Sequence, residues 1–359
     1  MIVLHDVTKS ARAGRKAKPI LSGTNLEIPT DRRIALLGEH DGHKRILIHL
    51  LGGVEKPTVG RIAWTRLKRD KVALTGAGVI VFLILVAVFA GPITKAVAHP
   101  PNDQFPEALD PNFGTPTGPS STFFFGVDQV GRDVFSRVLF GARVSLEVAF
   151  VATAFSVAIG VVFGMVAGYF RGWPDTLISR LIDVTLAFPI LLLALGIASA
   201  CSLGNGCARG TVKPGLPTVI VAIVVINRTY IGRIIRGQVL SLREKEFVEA
   251  ARAGGARNRT ILFREILPNL VAPIVVYSTL VVPQTILLEA ALSFLGVGIT
   301  PPRASWGEML AEATPIYNTA WWYFAFPGGA LLLTVLAFNL LGDGVRDALD
   351  PRTVMKEEP

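Results

Sequence analysis

Six stretches of this sequence are apolar for long enough to cross a hydrocarbon layer about 30 Å thick, which takes roughly 20 helical residues. The first, Val72 to Thr94, holds no charged residue. The second, about Val144 to Phe170, is charge-free after Glu147 and spaces Gly160, Gly164 and Gly168 four apart, which predicts close approach of another helix. The third covers about Leu177 to Ala200 with Asp183 near its start, and the fourth, about Pro217 to Ile235, is interrupted by Arg228. The fifth, about Leu270 to Leu288, contains Pro273 and Pro283, tolerable where neighbours satisfy the freed carbonyls. The sixth runs from about Ala320 to Leu341.

Lys and Arg near the span ends orient them. Arg61, Arg66, Lys68, Arg69 and Lys71 precede the first span, and a basic run from Arg233 through Arg243 and Arg252 to Arg264 follows the fourth. That loop and both termini are therefore expected on the cytoplasmic face of the membrane. The segment 95–142, the cysteine segment and Leu292 to Asn318 are then external. A disulfide between Cys201 and Cys207 is expected, because that side is oxidising and the two glycines of the intervening Ser-Leu-Gly-Asn-Gly let the chain turn back. Ala98 to Ser121 reads as an irregular loop. Val130 to Phe140 reads as an amphipathic helix lying on the membrane, with Val134, Val138 and Leu139 on one face and Arg132, Asp133 and Arg137 polar. Among charges near hydrocarbon, Asp183 and Glu289 are placed at the interfaces; Arg228, nearest mid-span, is a candidate to face an aqueous path.

Composition points the same way: 51% hydrophobic residues and only 18% charged, with mean hydropathy +0.50. Soluble domains carry about 25% charge, and disordered, collagen-like and disulfide-scaffold classes are excluded. The net charge of +9 is accounted for by cytoplasmic loops, so no nucleic-acid partner is expected. Two cysteines lack the second pair that a zinc site needs, and no metal site is expected. No secretory signal peptide is expected either, since the first long apolar run begins near Val72.

Residues 1–62 differ in kind. Val3–Val7, Leu26–Ile28 and Arg33–Gly38 read as strands, giving a small α/β appendage, and 63–71 form a basic linker. Gly38 to Arg45 occupies the place of a phosphate-binding loop, which requires G-x-x-x-x-G-K-[ST]. His43 stands for the second Gly and Arg45 for the hydroxyl, so Gly38, Gly42 and Lys44 form a degenerate loop and no nucleotide binding is expected. With Leu21-Ser22-Gly23-Thr24-Asn25-Leu26-Glu27-Ile28-Pro29, the segment resembles the opening of an ABC-type ATPase, truncated before its magnesium site and signature segment. A relic or docking module is implied.

Between the fourth and fifth spans, helix formers from Leu242 to Ala253, a Gly-Gly stop and a second apolar run predict two short helices joined by a turn. Glu249 offers a charge, Ala250 and Ala251 allow close approach, and Gly255 permits the turn. With Arg264-Glu265-Ile266-Leu267-Pro268-Asn269, this segment resembles the E-A-A loop of ABC importer permeases, the element that docks into a cleft on the ATPase. Glu265 departs from the apolar residue common there. Gly126 to Arg137, Gly141 to Leu146, Leu287 to Gly298 and Ala337 to Asp347 resemble the C-type permease subunits of the dipeptide, oligopeptide and nickel family.

The resemblance covers about residues 72–352. It implies an all-α membrane protein with six transmembrane helices in the type I importer permease fold. The first helix is 72–94, the external segment 95–142, the five-helix core 143–346 with coupling loop 236–269, and the cytoplasmic tail 347–359. Implied partners are a second homologous permease, two ABC ATPase subunits or domains that bind ATP and Mg, an extracellular solute-binding protein, a peptide substrate and the bilayer. This chain would hold no cofactor and catalyse nothing; Glu249, Ala250, Ala251, Gly255 and Pro268 would couple it to the ATPases. Nickel chelates and other peptide-like solutes remain alternative cargo. An energy-independent channel or carrier is disfavoured because neither internal repeats nor mid-span ionisable relays are evident.

Overall fold

The computed structural model describes residues 2–13, 16–28, 67–68, 70–202, 206–207 and 210–349. The chain divides into two units, Met1–Ile62 and Ala63–Pro359. In the first, β1 (Ile2–Ala13) and β2 (Lys16–Ile28) pair as an antiparallel hairpin, Ile2 opposite Ile28 and Ala13 opposite Lys16. The hairpin by itself provides no helix, so it does not support an α/β appendage. The expected strand Arg33–Gly38 and the loop residues Gly38, Gly42 and Lys44 lie outside the described residues.

The second unit is helical. In order it comprises α1 (Lys71–Val88), α2 (Ala90–Val97), α3 (Val134–Phe170), α4 (Gly172–Ala187), α5 (Ile190–Ser202), α6 (Leu216–Leu242), α7 (Glu246–Ala253), α8 (Asn258–Phe294), α9 (Trp306–Ala313) and α10 (Trp321–Leu349). Five of these, α1, α3, α6, α8 and α10, are long and apolar enough to cross a membrane.

The third expected span is broken rather than straight. α4 and α5 meet at 96°. Pro189 has no N–H and disfavours helical geometry in the residue before it, and Phe188 is extended at φ −88°, ψ 142°. With 16 and 13 residues, neither half alone reaches the roughly 20 residues needed to span.

The expected surface helix at Val130–Phe140 is also corrected. Asp133 caps α3 by accepting from Phe135 N–H (2.9 Å) and Ser136 N–H (3.4 Å), and α3 then runs unbroken for 37 residues. It starts nine residues before the expected core boundary at 143 (143 − 134). Arg132 and Arg137, expected on a solvated face, are 8% and 0% exposed. Carboxylates from a distant part of the chain surround them, which lets charge be buried without remaining unpaired.

α3 is the central helix, and its glycine spacing has the predicted effect. A Cβ at Gly160, Gly164 or Gly168 would lie 2.8 Å from Ile231 Cβ, 2.7 Å from Ile235 Cβ or 2.8 Å from Val239 Cβ of α6. α1 meets α10 in the same way: a Cβ at Gly76 would stand 2.7 Å from the Ala337 carbonyl. Ile80, Leu83, Leu146, Ile286, Trp306 and Phe338 join α1, α3, α8, α9 and α10 in one core cluster.

These contacts predict that Gly164→Ala destabilises the chain by about 1–3 kcal/mol, the usual cost of overpacking. Gly78→Ala in α1, where nothing lies within 4 Å of the added carbon, leaves stability unchanged or slightly raised. Thermal unfolding of the detergent-solubilised variants measures the contrast; equal midpoints would mean that the α3–α6 contact yields without cost.

Candidate functional site

Two polar regions stand at opposite ends of α8, one around α7 and one around α9. At the first, α7 presents Glu249 and Ala250 outward and keeps Ala251 half-buried. Val248 on its other face is fully buried with Tyr169, Ile235, Val239, Ile261 and Ile266. Gly255 N–H donates to the Arg252 carbonyl (3.0 Å) and Ala256 N–H to that of Ala251 (3.0 Å). Gly255 has φ +76° with open space around it, so backbone conformation rather than crowding demands glycine there.

The second short helix expected here is not separate; it is the start of α8. Its residues Ile261–Ile266 are wound as a π-helix leading to the exposed Pro268. Pro268 cannot donate to the carbonyl four residues back, and its ring crowds that carbonyl, which favours locally wider winding. Glu265 is half-buried while Ile266 is fully buried.

At the other end, the turn before α3 meets α9 in a buried ion-pair cluster that sequence reading missed. Arg132 Nε donates to Asp128 Oδ2 (2.5 Å) and its Nη2 to Glu312 Oε2 (2.6 Å). Arg137 Nη2 donates to both Glu308 oxygens (2.9 Å each) and lies 3.4 Å from Glu312. Tyr323 of α10 donates its hydroxyl to Glu312. Gly131, at φ +82°, fits because a Cβ there would stand 2.5 Å from the Phe105 carbonyl. Asp128, Arg132 and Arg137 fall in a quoted family motif, but Glu308 and Glu312 lie more than 170 residues away. The available signal was their i,i+4 spacing on a short, otherwise apolar helix.

Three carboxylates here face two guanidiniums. Burial pushes Glu308 up from 4.5 to about 7, with Arg137 opposing and Glu312 adding to the rise. Burial alone would lower the Arg132 pKa, but Asp128 and Glu312 outweigh it and raise it.

The remaining predicted residues are dispersed. Asp183 is exposed and pairs with Arg233 (2.5 Å). Arg228 is half-buried in α6, donates to the Val225 carbonyl (3.3 Å) and lies over the Phe163 ring (5.4 Å). Glu289 is fully buried among helices, accepting from Ser145 Oγ (2.9 Å) and Ser293 Oγ (2.8 Å), hydroxyls that let it leave water. Cys201 and Cys207 are joined by a disulfide with Cα atoms 4.6 Å apart. A further polar set, Thr153, Asn227 and Thr285, links α3, α6 and α8 by hydrogen bonds of 3.0 and 3.4 Å.

The family of binding-protein-dependent transport system inner membrane components matches residues 160–355, and the N-terminal TM domain of oligopeptide transport permease C matches residues 58–114. The dipeptide transport system permease protein DppC of Alkalihalophilus pseudofirmus is 42% identical over 295 residues, covering 81% of this chain and 90% of that protein. The chain belongs to this permease family. It is a multi-pass membrane component of ABC-importer type, a transport subunit rather than an enzyme. The glutathione transport system permease protein GsiD of Escherichia coli O6:K15:H31 is 43% identical over 289 residues, covering 80% of this permease and 89% of that one. A chain of the MetNI methionine ABC transporter in an inward-facing conformation matches in fold, with TM-score 0.50 at 20% identity, covering 60% and 97%. The family matches begin at residue 58 and lend no support to an ATPase origin for 1–62.

Between 4.5 and about 7 the folded permease holds more proton at Glu308 than the unfolded chain does. Its contribution to stability is therefore full below 4.5 and lost as pH rises through about 7. Thermal midpoints of the purified chain are expected to fall across that window, and Glu308→Gln to flatten the fall. An unchanged slope in the variant would remove Glu308 as its source.

Proposed function

We propose that this permease is one of two related membrane subunits of a bacterial inner-membrane importer for di- or oligopeptides. It supplies half of the translocation path and receives the stroke of an ATPase on α7. The observation that carries the reading is the geometry of α7: an eight-residue helix with Glu249 outward, Val248 anchored beneath and the Gly255 turn behind it. That arrangement offers a partner a charged, closely approachable surface while its underside belongs to the bundle core. Basic residues from Arg233 to Arg264 around this end support a cytoplasmic position, with both termini on the same side.

The peptide class rests on the names of relatives, one a dipeptide and one a glutathione permease. Both cargoes are small and peptide-like. The permease itself binds no nucleotide in this reading. ATP and Mg belong to two partner ATPases, and an extracellular binding protein delivers the solute. ATP-driven closure of the ATPase pair displaces α7 and opens the path toward the binding protein; release of ADP and phosphate resets it.

Gly255→Val tests the coupling role, since a β-branched residue at positive φ is strained by about 1–2 kcal/mol. In the assembled complex reconstituted in vesicles, peptide uptake per ATP hydrolysed is expected to fall roughly tenfold while the protein remains in the membrane. Unaltered uptake per ATP would count decisively against α7 as the coupling element.

A further inference from the structure

The end of α3 is bound on both flanks of α7. Ahead of α7, Arg243 Nη1 donates to the carbonyls of Tyr169 (2.6 Å) and Gly168 (3.3 Å). Those carbonyls belong to the last turn of α3, where no intrahelical partner exists and a cation complements the helix dipole. Behind α7, Tyr169 Oη donates to Asn258 Oδ1 at 3.0 Å. The Tyr169 ring is buried in the same cluster as Val248 of α7. Without these bonds only the packing of Val248 and its neighbours would tie α7 to α3, and a displacement could be absorbed in the short connections, one of them the Gly255 turn. A further polar link, Arg171 to Glu244 at 2.6 Å, is more than half exposed on both sides and therefore weak.

The route onward is stiff. α3 contains no proline over its 37 residues, whereas α8 carries Pro273 and Pro283 and α10 carries Pro327. Its opposite end holds Arg137, bound to Glu308. We infer that Tyr169 and Arg243 are positioning residues that fasten α7 to α3, so that displacement of α7 is carried along α3 to the Arg137–Glu308 contact. This rests on the coupling role proposed for α7.

The test uses the whole complex in vesicles. A Val130→Cys reporter sits in the turn whose N–H groups bind Asp128, and an Arg252→Cys substitution on exposed α7 reports ATPase docking by crosslinking. With the clamp intact, ATP is expected to change the maleimide labelling rate at position 130. In Tyr169→Phe/Arg243→Gln the docking crosslink persists while that change falls roughly tenfold, the scale of one charge-assisted hydrogen bond. Arg243→Lys alone, which keeps a cationic donor, retains most of it. An undiminished ATP-dependent change in the double variant would overturn the inference and leave the coupling role of α7 standing. Loss of the crosslink would overturn it too, reassigning both residues to docking. No ATP-dependent change with the clamp intact would overturn the coupling role and the inference together.

Discussion

The close approach of α3 and α6 is the contact on which the rest of the bundle depends. In hydrocarbon, two helices gain little by burying apolar side chains against each other rather than against lipid, so backbone proximity and packing decide whether they associate. Gly160, Gly164 and Gly168 remove the side chains that would hold α6 away, and Ile231, Ile235 and Val239 fill the groove left behind. Three polar regions adjoin this pair. α6 continues toward α7, α3 begins at the ion-pair cluster, and Thr153, Asn227 and Thr285 bridge both to α8.

The cluster at the start of α3 works by a different kind of energy. Removing charges from water costs several kcal/mol per ion, and their attraction repays that only when geometry is good. Here Arg137 meets both Glu308 oxygens, and Arg132 bridges Asp128 and Glu312. Deleting one partner would strand the others, typically at about 3–5 kcal/mol, even though the set as a whole adds little net stability. Its contribution is to fix one arrangement of α3, α9 and α10, elements otherwise joined mainly by apolar packing and by the Trp306 Nε1 hydrogen bond to the Val138 carbonyl (3.1 Å).

Much of this was legible in sequence because lipid imposes simple rules. Long apolar runs located five continuous membrane helices, four-residue glycine spacing located the α3–α6 contact, and the Gly-Gly stop after Ala253 located the α7 turn. What was not legible depended on residues far apart in the chain. The polar positions Arg132 and Arg137 looked solvated because their carboxylates come from α9. The hydroxyl partners of Glu289 were hidden because nothing in its own run announces that Ser145 of α3 lies against it. The break between α4 and α5 was overlooked although Pro189 marks it, since hydropathy averaged over a window does not register one missing hydrogen-bond donor. The separate second loop helix failed because the apolar run after the Gly-Gly turn gives no sign that it continues, through a π-wound stretch, into the long α8.

The length of α3 has a further consequence. Its 37 residues rise about 55 Å, well beyond the roughly 30 Å of hydrocarbon it has to cross. A straight rod of that size magnifies angle into distance: a tilt of about 5° about one end moves the other by about 5 Å, close to the pitch of one helical turn. Moving as such a rod, α3 would turn very small reorientations at the α7 end into register-sized shifts where Arg137 faces Glu308, and a shorter helix would need a much larger swing to do the same.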